Sequence, residues 1–270
     1  MGCSIGRYLM EQGTHITGYY SRSKESVDDA ATFVSCKAFY SLEEFVTNCD
    51  VIWITTPDDA IASVWKSLQS MSISNKLICH FSGSLSSVVF SGREKYGVSA
   101  CSIHPMYAFS DKNTCYRKLN TVLFTMEGDK EALEPMKALF ESFHNRVCVI
   151  APENKIRYHM AAAMASNLMA GLYQMSADAL KQAGFDEGSA RELLEPLVRN
   201  NIDKILSDGP EAALTGPLER GDVHTLQAHI NELTPEEKAV YIPLSKKILE
   251  IARRKNPDRD YAAMSRLLDE

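Results

Sequence analysis

The sequence predicts an α/β protein in which a mostly parallel sheet is followed by an all-α C-terminal domain. Two observations predict it. Up to residue 150, short β-rich runs alternate with helical stretches, as they do in a parallel sheet covered by helices. After Ile150 the β-branched runs stop and Ala, Met and Leu take over, so a domain boundary is expected at Ala151-Pro152, giving domains 1–150 and 151–270.

Strands are expected at His15–Tyr20, Val51–Thr55, Leu77–Phe81, Ser99–Ile103, Thr121–Thr125 and Arg146–Ile150. Between them, helices are expected at Ile5–Gln12, Lys24–Val34, Leu42–Val46, Asp58–Leu68 and Lys130–Phe143. Ser41 and Glu44 have the spacing of a capping box. In the second domain one long helix is expected from Glu153 to about Lys181. Its stretch Tyr158–Gly171 is small or apolar on nearly every face, as in a helix buried all round. Further helices are expected at Glu187–Leu206, Val223–Asn231 and Pro235–Arg253, the last opened by the capping sequence Thr234-Pro235-Glu236-Glu237.

Composition narrows the function. The formal charge of -6 and a pI near 5.7 give no basic stripe for nucleic acid. The cysteine count is odd, seven, with no CxxC, which suits reduced thiols in the cytoplasm. No apolar run approaches the roughly 18 residues of a membrane span. His224 and His229 stand without the companions a metal site needs, so no metal is expected.

A dinucleotide-binding fold opens with a strand, then GxGxxG at the start of a helix, then a second strand ending in the residue that reads the adenosine ribose. This chain starts at the helix, with Gly2 in the place of the third glycine; the first strand and leading glycines are expected to be missing. A misplaced start at Met1 would account for that. Taken alone, Gly2 and Gly6 can equally be ordinary residues of a small-residue N-terminus. The next strand ends in Tyr20-Ser21-Arg22-Ser23, where Arg22, Ser21 and Ser23 offer donors for a 2′-phosphate, which points to NADP in preference to NAD. The other reading is that Ser23 caps the following helix and Arg22 is solvated. Thr55, Thr56 and Pro57 sit at the carboxyl end of the strand expected at Val51–Thr55, where the loop of such folds passes over the nicotinamide ribose.

Two more strands deliver His80-Phe81-Ser82-Gly83 and Ser102-Ile103-His104-Pro105 to the same sheet edge. His104 is the candidate general acid/base, because imidazole titrates near neutrality; Ser82, with Gly83, is placed to contact substrate or cofactor. On the long helix Tyr158, His159, Ser166 and Asn167 share a broad polar face. That face either orients substrate, with His159 and Asn167 in catalytic roles, or pairs with neighbouring helices. The loop with Thr215, Arg220 and Asp222 is a candidate substrate loop or a structural ion pair.

The order and spacing of Gly2–Leu9, Tyr20–Ser23, Ile54–Pro57, His80–Ser87, His104–Met106, Tyr158–Asn167 and Ala213–Asp222 give the chain a resemblance to a group of proteins. They are Rossmann-like proteins with a C-terminal helical domain of unknown function, distant relatives of pyrroline-5-carboxylate reductase, prephenate dehydrogenase and coenzyme F420-dependent NADP oxidoreductases. His104-Pro105-Met106 is similar to the HPM motif of prephenate dehydrogenases, whose histidine contacts the reacting hydroxyl. The resemblance implies an NADP-binding domain and a helical domain that dimerises. The expected function is an NADP-dependent oxidoreductase moving a hydride at a C–O or C–N bond of a small polar metabolite. A non-catalytic nucleotide sensor or dimeric scaffold is the alternative.

Overall fold

A computed structural model describes residues 1–111 and 113–270. They fall into two compact units, Met1–Leu168 and Met169–Glu270.

The first unit is built on two groups of strands. β1 (Gly18–Tyr20) and β2 (Lys37–Phe39) form a parallel pair. β2 lies outside every expected strand, because three residues are too few to display an alternation. The main sheet runs β3 (Val51–Ile54), β4 (Leu77–His80), β5 (Ser99–Pro105), β6 (Phe124–Gly128) and β7 (Val147–Val149), in that spatial order. β3, β4 and β5 are parallel; β6 is antiparallel to β5, and β7 is parallel to β6. The strand expected at 121–125 begins three residues late, because Cys115–Thr121 winds into a 3₁₀ turn and the alternation is set by Phe124 and Met126. The helices of this unit are α1 (Gly2–Glu11), α2 (Lys24–Val34), α3 (Leu42–Thr47), α4 (Asp58–Leu68), α5 (Lys130–Ser142) and α6 (Lys155–Ala165).

Period-two alternation divides the main sheet into two faces. Phe81, Cys101, Ile103, Phe124 and Met126 join Ile5, Leu9 and Phe140 in one apolar core. Ile52, Ile54, Ile78 and Ala100 form the other with Ile61, Trp65 and Leu68 of α4. Along that second face the residues turn polar towards the carboxyl ends of the parallel strands: His80, Ser102 and Thr125 are buried there, with Glu127 on the antiparallel neighbour.

No pairing joins β1–β2 to β3 among the described residues. α1 bridges the two groups: Tyr19 on β1 donates its hydroxyl to Gly2 O at 3.0 Å, and a Cβ on Gly2 would lie 2.5 Å from Thr55 Oγ1 beyond β3. A Cβ on Gly6 would collide with the Tyr19 hydroxyl. Both glycines therefore sit where α1 and these side chains approach closely.

The helix expected over 153–181 is two helices. It breaks at Ser166 (φ -125, ψ -77), whose hydroxyl turns back to Ala162 O at 2.7 Å and reaches Asn167 Oδ1 at 2.8 Å. A serine that bonds the preceding turn competes with the helix ladder. The division between compact units follows close behind, after Leu168 and not at 150/151: α6 belongs with the sheet because its Lys155 is buried there.

The second unit contains the remaining helices. α7 (Asn167–Gln182) leads into it, followed by α8 (Glu187–Ala213), α9 (Pro217–Arg220), α10 (Val223–Glu232), α11 (Pro235–Lys255) and α12 (Ala262–Asp269). α8 kinks at Gly209, whose φ of 84° suits glycine, and α11 opens with the expected capping box of Thr234 and Glu237. Leu218, Leu226, Leu249, Tyr261, Met264 and Leu268 make its core.

Candidate active site

Because β3, β4 and β5 are parallel, the segments after them leave one sheet edge, where ligands bind in open α/β folds. Ser82, just past β4, is buried, and its hydroxyl is fully used. It donates to Asp58 Oδ2 at 2.6 Å and accepts from the amides of Leu85 (2.9 Å) and Ser84 (3.2 Å). A hydroxyl has one proton and two lone pairs, so nothing is left for a substrate. This corrects the expectation of a reacting or cofactor-binding hydroxyl: Ser82 shapes the turn that presents Gly83.

Gly83 is where two histidines meet. A Cβ there would be 2.8 Å from His104 Nε2 and closer still to His159 Nδ1. The other ring nitrogen of His104, Nδ1, lies 2.8 Å from the Tyr158 hydroxyl, which orients the ring and leaves Nε2 facing Gly83. Tyr158 and His159 both come from α6. So does Lys155, whose Nζ donates to Ser102 Oγ at 2.5 Å; Ser102 in turn reaches Ser82 O at 3.4 Å. Positions 155, 158 and 159 have the i, i+3, i+4 spacing of one helix face, and 102 and 104 share one face of β5. Glu127, fully buried on β6, accepts from the Ser87 amide at 2.7 Å and the Ser87 hydroxyl at 2.8 Å.

Burial changes the acid–base properties of this cluster. It pushes His104 down to about 4, helped by the charges of Lys155 and His159 and opposed by Asp58. At neutral pH His104 is therefore an uncharged hydrogen-bonding group, which removes the near-neutral titration that made it a general acid by sequence. Burial pulls Lys155 down to about 8 against the raising fields of Glu127, Cys101 and Asp58. Three buried polar atoms beside these segments, Thr56 Oγ1, His80 Nε2 and His159 Nδ1, have no hydrogen-bond partner.

Other expected residues lie elsewhere. Asn167 is exposed past the break, bonded to Ser166, and does not join His159 on a common face. Ser23 caps α2, accepting from Ser26 N at 3.2 Å, and Ser21 accepts from Ser23 N at 3.4 Å, so Arg22, with an exposed guanidinium, is the group of that triplet best able to meet a ligand. Thr215, Arg220 and Asp222 belong to the second unit. There Asp222 caps α10 through Thr225 N at 3.0 Å and Thr225 Oγ1 at 2.7 Å, while Thr215 and Arg220 are exposed. Among the described residues no group of three or more His, Cys, Asp or Glu can hold a metal.

Residues 122–248 match the family described as a domain of unknown function, DUF2520. The chain carries a DUF2520 domain. No protein of curated function matches the sequence. Among solved structures, the chain is similar to protein TM1727 from Thermotoga maritima, with 26% identity, a TM-score of 0.75, and 95% of this chain and 98% of that one covered. It is similar to BF3122 of Bacteroides fragilis, a candidate NADP oxidoreductase, with 24% identity, a TM-score of 0.72 and 92% and 93% coverage. A pyrroline carboxylate reductase from Plasmodium falciparum with NADP bound shares the fold at 14% identity, a TM-score of 0.53 and 96% and 93% coverage. The chain thus has a Rossmann-like fold, a mostly parallel sheet followed by a helical region.

Lys155, Asp58, Ser102 and Glu127 are members of the site that the sequence reading passed over. A signal was available. Strands buried on both faces read as nearly continuous apolar runs, whereas here Ser102 and His104 alternate with Cys101 and Ile103, and Thr125 and Glu127 with Phe124 and Met126. That alternation marks a polar sheet face under a helix.

Proposed function

We propose that this protein is an NADP-dependent oxidoreductase that moves a hydride at a C–O or C–N bond of a small polar metabolite. The observation that carries the reading is the gathering at one sheet edge of close-approach glycines, Gly2 and Gly83, and unpartnered buried polar atoms, Thr56 Oγ1 and His159 Nδ1. Leaving such an atom unpaired costs about 1–3 kcal/mol, which a ligand hydroxyl or amide recovers.

The residues fit a nicotinamide dinucleotide. The N-terminus of α1 would face a pyrophosphate, with Gly2 letting the helix pack closely on Thr55; Thr55, Thr56 and Pro57 would line the nicotinamide ribose, and Gly83 the ring; Arg22 with Ser21 would hold a 2′-phosphate. The bound dinucleotide supplies or accepts the hydride. His104 Nε2 and His159 Nδ1 orient the reacting group, and Tyr158 holds the His104 ring.

Titration of the purified protein with NADPH and NADH tests this. NADPH binds more tightly, and Arg22→Ala removes about ten- to a hundredfold of that advantage, the worth of charge-assisted hydrogen bonds. Failure of both dinucleotides to bind at millimolar concentration refutes the reading. The separation of β1–β2 from the main sheet favours, as the second reading, a nucleotide sensor or dimeric scaffold without turnover, which binds dinucleotide yet transfers no hydride.

The protein is further proposed to be a cytoplasmic homodimer assembled through its C-terminal helices. Its seven cysteines are free, and among the described residues no helix is long and apolar enough to cross a membrane. Leu172 on α7 is 48% exposed, Leu197 on α8 63% and Leu206 79%, apolar side chains that a partner's helices would cover. Sedimentation at micromolar concentration reads the mass; a monomer refutes the dimer.

A further inference from the structure

We propose that Lys155 is the proton-holding group of this site, seated on Ser102 by α6 beside the histidines that orient the reacting group. The proposal rests on the oxidoreductase reading above.

Any two-electron reduction of a C=O or C=N bond adds a hydride to carbon, moves the π pair to the heteroatom and needs one proton there. His104 is a poor source. Its ring is oriented by Tyr158 and crowded by His159 at Gly83, and burial keeps it uncharged at neutral pH. Lys155 occupies the same helix face one turn earlier, almost wholly removed from solvent, and its contact with β5 is a hydroxyl. That choice of partner matters. A carboxylate would fix the ammonium permanently, whereas Ser102 Oγ accepts from the charged form and can donate to the neutral amine, so it accommodates both protonation states. The buried carboxylate nearby, Glu127, has its oxygens engaged by the amide and hydroxyl of Ser87. The other titratable or charged groups acting on Lys155 or its neighbours are Asp58 from α4, His80 from β4, Cys101 and His104 from β5, and Tyr158 and His159 from α6. Burial then brings the ammonium down to about 8, where it is charged at neutral pH yet close to release. In the forward direction Lys155 Nζ gives its proton to the heteroatom, becomes the neutral amine and takes the next proton from solvent.

The test is a titration of the wild-type protein by nuclear magnetic resonance, following lysine ¹⁵Nζ and histidine ¹³Cε1 signals. Lys155 is expected to titrate with a midpoint about 8, while His104 shows no titration between roughly pH 6 and 9. Ser102→Ala moves the Lys155 midpoint further down, because the ammonium loses its acceptor; no response means that Nζ is not seated on Ser102 and overturns the proposal. Lys155→Arg abolishes the titration near 8 and keeps the charge, identifying the signal. A Lys155 midpoint at the ordinary lysine value, or a His104 midpoint between roughly 6 and 8, overturns the proposal. NADPH binding measured on the same samples separates the two claims. Failure to bind NADPH refutes the oxidoreductase reading whatever the titration shows, and an ordinary Lys155 refutes the lysine proposal whatever NADPH does.

Discussion

Gly83 is the position at which the site can be probed with a single methyl group. It does not occupy the left-handed region of backbone space, so alanine fits its conformation and the penalty of Gly83→Ala is steric. The added Cβ would stand 2.8 Å from His104 Nε2 and nearer to His159 Nδ1, and one of the rings must yield. His104 is tethered by Tyr158 at 2.8 Å, which leaves the unpartnered His159 as the ring that moves. Overpacking of this kind costs about 1–3 kcal/mol. With roughly 2–4 °C per kcal/mol for a unit of this size, the melting temperature of the first unit falls by about 2–12 °C. Calorimetry reads the melting, and ¹³C spectra of the histidines read the rings: the His159 signal shifts more than that of His104. Gly171→Ala is the control, since nothing lies within 4 Å of its Cβ on helix α7; it stabilises by about 0.5–1 kcal/mol. If Gly83→Ala melts with the wild type and leaves both ring signals in place, the packing argument for the His104–Gly83–His159 arrangement is wrong.

Acid should destabilise the first unit before its carboxylates titrate. His80 and His104 are both held down to about 4 by burial. The unfolded chain, with imidazoles near 6.5, therefore binds more protons than the folded one between the two values. Stability falls as pH drops through that window, by about 1.4 kcal/mol per pH unit for each histidine at the limit. Denaturant unfolding of His104→Gln should show a slope shallower by about one proton; an unchanged slope would mean that His104 is not held uncharged. In the second unit, Thr234→Ala breaks the capping box of α11 and lowers stability by about 0.5–2 kcal/mol, read by calorimetry. NADPH affinity is unmoved by that substitution, and a loss would contradict the placing of the nucleotide site in the first unit.

The sequence by itself determined the class of fold and most of the element boundaries, because these depend on local periodicity and capping. Alternation marked the strands of the main sheet, and Ser41 and Thr234 marked helix starts. It also brought His104, Gly83, Tyr158 and His159 forward as candidates, and the structure places all four together. Tertiary structure decided what local pattern does not encode. Whether a hydroxyl is free depends on its partners: Ser82 is used up by Asp58 and two amides, and Ser23 by its cap. Whether Asn167 reaches a site depends on a helix break at Ser166 that a run of helix-forming residues conceals. Above all, the acid–base character of a side chain is set by what buries it. In sequence Lys155 is one cation among many and His104 an ordinary imidazole; desolvation under the polar face of β5 and β6 brings the lysine's titration down towards neutral pH and holds the histidine uncharged there.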